Sequence, residues 1–121
     1  IHRKGCAPAH DGQLTAVLGS RGAPSWIMRG CGNEVGLCSV AHGAGRKMRR
    51  SEAREKLRGR YHRSQLVKSK QGGEVICDDP KLLYEEHPDV YKPIEPVVAS
   101  LEEAGLATRV AAVSALLTVK K

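Results

Sequence analysis

Short apolar runs separated by turn residues occupy the first third of the chain. They lie at Leu14–Leu18, Ser25–Arg29 and Val35–Val40, and glycine-rich or proline-containing stretches divide them. Apolar runs of five or six residues with such borders are typical of strands rather than of helices. We therefore predict three strands here, with a turn over residues 19–24 between the first two.

The rest of the chain predicts helices mixed with further strands. Ser51 is a favourable N-cap for a helix that runs through Arg58, and Asp79 followed by Pro80 opens a second, short helix. A third helix ends before Gly105 and has one apolar face, formed by Ile94, Val97, Val98, Leu101 and Ala104. Strands are predicted at residues 73–77, 106–113 and 115–119. Because no βαβ rhythm is present, we predict an α+β fold of mixed antiparallel sheets with short helices.

The charge of the chain is distributed unevenly. Its 121 residues carry a net charge of +7, enough length for one domain with a modest core. Residues 41–70 contain eleven Lys/Arg and two Asp/Glu, whereas residues 74–103 contain two Lys/Arg and nine Asp/Glu. A basic block of this density is typical of a surface that binds polyphosphate, but it is equally compatible with a solvated helix face. Both interpretations stay open at this stage.

Several classes of protein are disfavoured by the composition. No apolar run approaches the roughly 18 residues of a membrane span, and the first residues lack the apolar stretch of a signal peptide. The four cysteines do not have the spacing of a zinc site, so we expect reduced thiols, no metal bound by this chain alone, and a cytoplasmic protein. Because the chain begins at Ile1, we also expect it to be a portion of a longer protein.

The strongest chemical signal is a histidine followed by two glycines and an arginine. His42 precedes Gly43-Ala44-Gly45, and Arg46 comes next. Glycine backbone N–H groups approach anions closely, and a neutral imidazole is a nitrogen nucleophile. This pattern indicates a place where a phosphate is held and attacked. The alternative is a histidine that ends a strand and has a structural role only.

Four collinear stretches resemble the C-terminal third of the RtcB-type RNA-splicing ligases. They are Arg3-Lys4-Gly5, the turn Gly19-Ser20-x-Gly22 with Ser25-Trp26, His42-Gly43-Ala44-Gly45-Arg46, and Val119-Lys120. The stretch around Tyr84, Tyr91 and Lys92 matches as well, so the resemblance covers residues 1–121. It implies that this chain is the C-terminal, guanylate-binding portion of such a ligase.

The resemblance implies a specific reaction. These ligases use GTP and Mn²⁺ to join RNA ends that bear a 2′,3′-cyclic phosphate or a 3′-phosphate to 5′-hydroxyl ends, in RNA repair or tRNA splicing. By position, His42 is the nucleophile that attacks the α-phosphorus of GTP and carries GMP as a phosphoramidate. GMP then moves to the RNA 3′-phosphate, and the 5′-hydroxyl displaces it. From the residues alone, a non-catalytic basic RNA-binding module or a structural fragment remains the alternative.

The resemblance also assigns site residues. Those expected to bind the guanine nucleotide are Leu18, Gly19, Ser20, Arg21, Ser25, His42, Gly43, Ala44, Gly45, Tyr91 and Lys120. Arg3, Lys4 and Arg46 are candidates for binding an RNA phosphate, and the alternative for Arg3 and Lys4 is a surface ion pair. The family's manganese ligands fall upstream of Ile1. We therefore expect the missing N-terminal part of the same protein as a partner, and no ligation by this chain alone.

Seven positions depart from the usual family pattern. Two follow Arg3-Lys4-Gly5, where Cys6 and Ala7 replace the usual alanine and threonine. The other five are Arg21 where methionine is usual, Ala23 where threonine, Pro24 where alanine, Arg49 where serine, and Lys121 where a final glycine is common. These departures suggest a divergent bacterial branch. The extra charge at residue 21 is expected near the phosphates, where it would alter the preference for RNA ends.

Overall fold

A computed structural model describes all 121 residues, and in it the chain divides into two units. Unit 1 is formed by residues 1–19, 24–44 and 93–113, and unit 2 by residues 20–23, 45–92 and 114–121. Each unit is therefore assembled from three separate segments.

Seven strands and three α-helices make up the two units. In chain order they are β1 (Cys6–Pro8), β2 (Leu14–Val17), β3 (Ser25–Gly30), β4 (Ser39–Ala41), α1 (Arg50–Arg58), β5 (Glu74–Cys77), α2 (Pro80–Glu85), α3 (Ile94–Glu103), β6 (Ala107–Val113) and β7 (Leu117–Lys120). Two 3₁₀ turns, at Arg63–Gln65 and Pro88–Val90, complete the list. The predicted α+β class is confirmed, although β1 and both 3₁₀ turns were not predicted.

Unit 1 is organised around an antiparallel sheet in the order β2-β3-β6. Val17 and Met28 alternate inward from β2 and β3, and both are fully buried. Helix α3 contacts β6 and buries Ile94, Val98 and Leu101. Burying those side chains contributes apolar stabilisation to this unit. A second sheet of two strands pairs β1 with β4 in antiparallel register.

One predicted strand of unit 1 is largely wrong. Of residues 35–40, only the last two belong to β4, and residues 34–38 form a turn. The Asn33 side chain accepts a hydrogen bond from the Gly36 N–H at 3.0 Å, and the Asn33 carbonyl accepts one from the Cys38 N–H at 2.9 Å. These bonds close the turn and leave Leu37 and Cys38 at positive φ, which a strand does not permit.

Unit 2 packs α1 and α2 over a shared apolar core. The buried members of that core are Ala53, Leu57, Leu66, Val75, Leu83, Tyr84 and Val90. Beside it, β5 and β7 pair in parallel, with Ile76 opposite Val119. The β5–β7 pair therefore departs from the expected antiparallel pairing, as does the isolated parallel bridge between Leu18 and Gly43 in unit 1.

The helix ends follow the sequence in two cases out of three. Asp79 caps α2 as predicted, because its carboxylate accepts a hydrogen bond from the Lys81 N–H at 2.8 Å. Gly105 has φ +64° directly after the end of α3, as its predicted role requires. Ser51 is not an N-cap, since α1 begins at Arg50 and Arg49 occupies the cap position without a side-chain bond.

No helix of the structure is both long enough and apolar enough to span a bilayer.

Candidate nucleotide-binding site

His42 follows strand β4 directly, at the end of the β1–β4 pair of unit 1. Cys6 lies opposite Ala41 in that pair, and the His42 N–H donates to the Gly5 carbonyl at 3.3 Å. The main chain of His42 is thus held by its neighbours, whereas its side chain is exposed and makes no hydrogen bond. An exposed imidazole on a fixed backbone is available to an incoming electrophile.

The histidine motif is hydrogen-bonded to the end of strand β2. The Leu18 N–H donates to the His42 carbonyl at 2.9 Å, and the Ala44 N–H donates to the Leu18 carbonyl at 2.8 Å. A Cβ atom at Gly43 would lie 2.9 Å from the Leu18 carbonyl oxygen, so the close approach requires glycine. Two stretches predicted from the sequence as nucleotide-binding are therefore neighbours within unit 1.

The backbone around Ala44 offers fewer free donors than the glycine pattern suggested. The Ala44 N–H is taken by Leu18, while the N–H groups of Gly43 and Gly45 make no hydrogen bond. Gly45 belongs to unit 2 and has φ +75°, a left-handed conformation that favours glycine. The two free donors alternate along the chain and do not form the continuous run that was expected.

The predicted turn after β2 is closed by serine hydroxyls. In unit 1, the Gly19 N–H donates to the Ser25 hydroxyl at 3.0 Å. In unit 2, the Ser20 hydroxyl accepts from the Gly22 N–H at 3.3 Å, and the Ser20 carbonyl accepts from the Ala23 N–H at 3.1 Å. Both serines therefore shape the backbone here, and their contacts to a nucleotide stay predictions.

Arg21 lies in unit 2, where its guanidinium is partly buried against α2. Its Nη2 donates to the Leu83 carbonyl at 2.8 Å, and its Nη1 is buried without a partner. Burial lowers the pKa of Arg21, and the charges of Cys77 and Glu86 oppose that shift. The group is held by α2, and its predicted contact with the nucleotide stays a prediction.

Arg46 and Tyr91 share one carboxylate in unit 2. Arg46 donates from Nη1 to Glu86 at 3.3 Å and to the Tyr91 hydroxyl at 3.2 Å, and the Tyr91 hydroxyl donates to Glu86. Burial, followed by the hydrogen bond to Glu86, raises the pKa of Tyr91. An RNA phosphate at Arg46 would have to compete with these contacts. Glu86, which the sequence did not single out, is the centre of this cluster.

An open depression on the surface of unit 2 is lined by Arg46 and the residues that follow it. Its volume is about 520 Å³, and it is lined by Arg46, Lys47, Met48, Arg49 and Glu52. Three basic side chains against one acidic side chain make this surface favourable for an anion.

The remaining predicted residues differ in how much they are engaged. In unit 2, Lys120 lies on β7 opposite Cys77 and is partly exposed. In unit 1, Lys4 is exposed, but the Arg3 guanidinium donates to the Ser39 hydroxyl at 2.9 Å. Neither Arg3 nor Lys4 forms a surface ion pair, which was the alternative to a phosphate contact for these two residues.

The chain does not present a set of manganese ligands. No group of three or more His, Cys, Asp or Glu side chains is close enough together to hold a metal ion. Manganese prefers several oxygen or imidazole ligands, so the donors present in these 121 residues do not fit it.

A buried histidine cluster in unit 2 was missed by the sequence reasoning. His87 is buried and stacks on Tyr61 with ring centroids 4.5 Å apart. Its Nδ1 accepts from the Asp89 N–H at 3.1 Å, and the Tyr61 hydroxyl donates to Asp89 at 2.8 Å. The one local signal was Pro88, which favours a cap at residue 87.

Comparison of the sequence with known proteins identifies its family. The family model described as tRNA-splicing ligase RtcB matches residues 1–121. The chain is 44% identical over 120 residues to RNA-splicing ligase RtcB2 of Escherichia coli ATCC 25922, which covers 99% of this chain and 31% of that protein. It is 38% identical over 106 residues to RNA-splicing ligase RtcB of E. coli K12, covering 83% of this chain and 23% of that protein.

A more distant relative shows the same pattern. The chain is 30% identical over 137 residues to tRNA-splicing ligase RtcB of Methanocaldococcus jannaschii, and the match covers 99% of this chain and 14% of that protein. The chain thus spans less than a third of the length of each of these relatives. Because the family model matches every residue, the chain belongs to the tRNA-splicing ligase RtcB family.

Proposed function

We propose that the protein is an RNA ligase that uses GTP to join RNA 3′-phosphate or 2′,3′-cyclic phosphate ends to 5′-hydroxyl ends, in RNA repair or tRNA splicing. Membership of the family supports the ligase class. One observation of the structure carries the proposal for this chain. The Leu18 backbone bonds to His42 and Ala44, so the exposed histidine and the end of strand β2 belong to one arrangement within unit 1.

His42 is the nucleophile of the proposed reaction. An imidazole nitrogen attacks the α-phosphorus of GTP, a phosphorus–nitrogen bond forms, and the bond to the leaving pyrophosphate breaks. The RNA 3′-phosphate then takes GMP from the histidine, and the 5′-hydroxyl displaces GMP as the phosphodiester forms. The exposure of His42 and its fixed main chain support this role.

The proposed guanylate contacts follow the residues assigned by the family resemblance. In unit 1, the unbonded N–H group of Gly43 would donate to a phosphate oxygen, and Ser25 holds the turn at Gly19. In unit 2, the N–H group of Gly45 is also unbonded, and Lys120 and Tyr91 are proposed to contact the base. Manganese would neutralise phosphate charge during the attack, and its ligands would come from outside these 121 residues.

GTP labelling tests the proposal. The full-length protein is incubated with Mn²⁺ and GTP radiolabelled at the α-phosphate, and acid-labile label on the protein is measured. We expect labelling that His42→Asn abolishes and that His10→Asn, at another exposed histidine of unit 1, leaves intact. Labelling of the His42→Asn protein would contradict the assignment. The 121-residue chain alone should stay unlabelled.

A second function, RNA binding without catalysis, is favoured by the charge distribution. Unit 2 contains 16 Lys/Arg and eight Asp/Glu, whereas unit 1 contains four and five. The whole positive excess therefore belongs to unit 2, as expected of a surface for nucleic acid. A protein that binds RNA with steep salt dependence but takes no label from GTP would establish this alternative instead.

A further inference from the structure

We propose that Arg3 is a positioning residue for His42 and does not bind an RNA phosphate; this inference rests on the proposed function of His42. The Arg3 Nε donates to the Ser39 hydroxyl at 2.9 Å, and its Nη2 lies 3.5 Å from the Leu37 carbonyl oxygen. The Ser39 hydroxyl in turn donates to the same carbonyl at 2.9 Å. One guanidinium thus ties together the two residues that flank Cys38.

The segment that Arg3 holds is strained. Leu37 and Cys38 have φ angles of 52° and 45°, a conformation that costs energy for residues with a side chain. Leu37 is also largely exposed, so apolar packing does not hold it in place. Polar contacts must therefore stabilise this turn: Asn33 closes it locally, and Arg3 adds further hydrogen bonds from a distant part of the sequence.

The strained turn leads directly to the nucleophile. Ser39 begins β4, and His42 follows the last residue of that strand. Residues 3–5 bond to both ends of β4. The Arg3 side chain donates to the Ser39 hydroxyl, and the Gly5 carbonyl accepts from the His42 N–H. A shift of β4 along β1 would therefore displace the His42 backbone. Small displacements of a reacting group are costly for rate.

The arrangement separates the roles of two adjacent cations. Arg3 is half-buried and engaged, whereas Lys4 is exposed and makes no ion pair. Of the two, Lys4 is left free for an RNA phosphate. Arg3 also cannot be replaced by lysine, because one ammonium group does not reproduce the planar fork that reaches two acceptors.

GMP transfer without RNA discriminates between positioning and phosphate binding. The rate of single-turnover labelling of the full-length protein by GTP is measured for Arg3→Lys and Ser39→Ala. At saturating GTP we expect about a tenfold loss in each, with the GTP concentration for half-maximal rate unchanged within a factor of two. Ser39→Thr, which keeps the hydroxyl, should restore the rate. The double variant Arg3→Lys/Ser39→Ala should be no slower than either single variant, because both substitutions remove the same hydrogen bond.

A readout independent of activity accompanies the rates. Amide hydrogen exchange of residues 37–44 should accelerate in Arg3→Lys and Ser39→Ala at unchanged melting temperature. The matched control is Arg29→Lys, at an exposed arginine of the same unit whose guanidinium donates only to the Gly12 carbonyl. It should change neither the rate nor the exchange. If Arg3→Ala fails to fold, these milder variants still decide the question.

The outcomes divide cleanly. Unchanged GMP transfer in Arg3→Lys, together with a raised KM for RNA, would overturn the inference and restore a phosphate role for Arg3. Unchanged exchange of residues 37–44 would overturn it too. If the unmodified protein takes no label from GTP, the proposed function fails and the inference fails with it. If the unmodified protein is labelled and the variants equal it, the inference alone fails.

Discussion

The two glycines that flank Ala44 have different physical reasons for being glycine. At Gly43 the obstacle is another atom, because a Cβ there would meet the Leu18 carbonyl oxygen. At Gly45 the obstacle is the backbone itself, since its φ is +75° while no atom lies within 4 Å of an added Cβ. A single motif thus combines a steric requirement with a conformational one.

Gly43→Ala should damage both the fold and the chemistry. The added methyl group pushes Leu18 away and weakens the two hydrogen bonds that hold His42 and Ala44, so we expect a loss of about 1–3 kcal/mol in the free energy of unfolding. Labelling by GTP should fall with it. Denaturant unfolding checks the first effect. Gly59→Ala, at a helix-like φ of −74° with no close neighbour, is the control and should stay near the unmodified protein.

His87 predicts how stability depends on pH. Burial lowers the pKa of His87, and the cations Arg21, Lys70 and Arg60 lower it further against the opposing charge of Asp89. The folded state therefore favours the neutral ring. The neutral ring's contribution to the free energy of unfolding is present above the unfolded-state pKa of about 6.5. It is lost as the pH falls below that value, because protonation favours the unfolded chain.

The measurement is the free energy of unfolding between pH 7.5 and pH 5. The unmodified protein should lose stability over this window, and His87→Gln, which keeps an acceptor for the Asp89 N–H, should lose less. His10→Gln, at an exposed side chain, should follow the unmodified profile. A His87→Gln protein with an equally steep profile would contradict this account.

At the scale of elements, helix α1 begins without a side-chain cap. Arg49 occupies the N-cap with φ −70° and ψ 158°, but an arginine side chain does not accept the hydrogen bonds that the first helical N–H groups offer. A serine at this position would accept one. We expect Arg49→Ser to stabilise the protein by about 1 kcal/mol in denaturant unfolding. Ser51→Ala should have little effect, and a large loss would show that Ser51 caps the helix after all.

Elements were predictable where local sequence decides them. Helix α3 was found because Ile94, Val98 and Leu101 of its predicted apolar face are buried, although Ala104 is exposed after the helix end. Helix α2 was found because its cap and first residue are both local signals. The run at residues 35–40 was misread because the Asn33 side chain closes a turn that apolar spacing does not reveal. The contact of Leu18 with Gly43 joins residues far apart in sequence, so the pattern of either stretch alone does not predict it.

At the scale of the whole molecule, the basic block is less free than its composition suggests. Five of its eleven cations form ion pairs, namely Arg46, Arg50, Arg54, Lys56 and Arg60. The other six, Lys47, Arg49, Arg58, Arg63, Lys68 and Lys70, are exposed and make no ion pair. Three of them, Arg63, Lys68 and Lys70, lie outside the depression at Arg46 and close together in sequence, and we expect this set to contact an RNA backbone.

Charge reversal tests that assignment. Replacing Arg63, Lys68 and Lys70 by glutamate in the full-length protein should weaken RNA binding and reduce the slope of log affinity against log salt by about 2 for single-stranded RNA. Fluorescence anisotropy at several salt concentrations gives the slope. An equal reversal of net charge at Arg29, Lys81 and Lys121 is the control. If both triple variants lose affinity alike, net charge and not this patch governs binding.

The chain crosses between its two units five times, at residues 19/20, 23/24, 44/45, 92/93 and 113/114. Neither unit therefore corresponds to a continuous stretch of coding sequence. Recombination cannot deliver one unit to another gene without its partner, and a frameshift or an early stop removes strands from both at once. Three of the crossings fall inside the motifs that carry His42 and the turn after Leu18, so the two units are inherited as one.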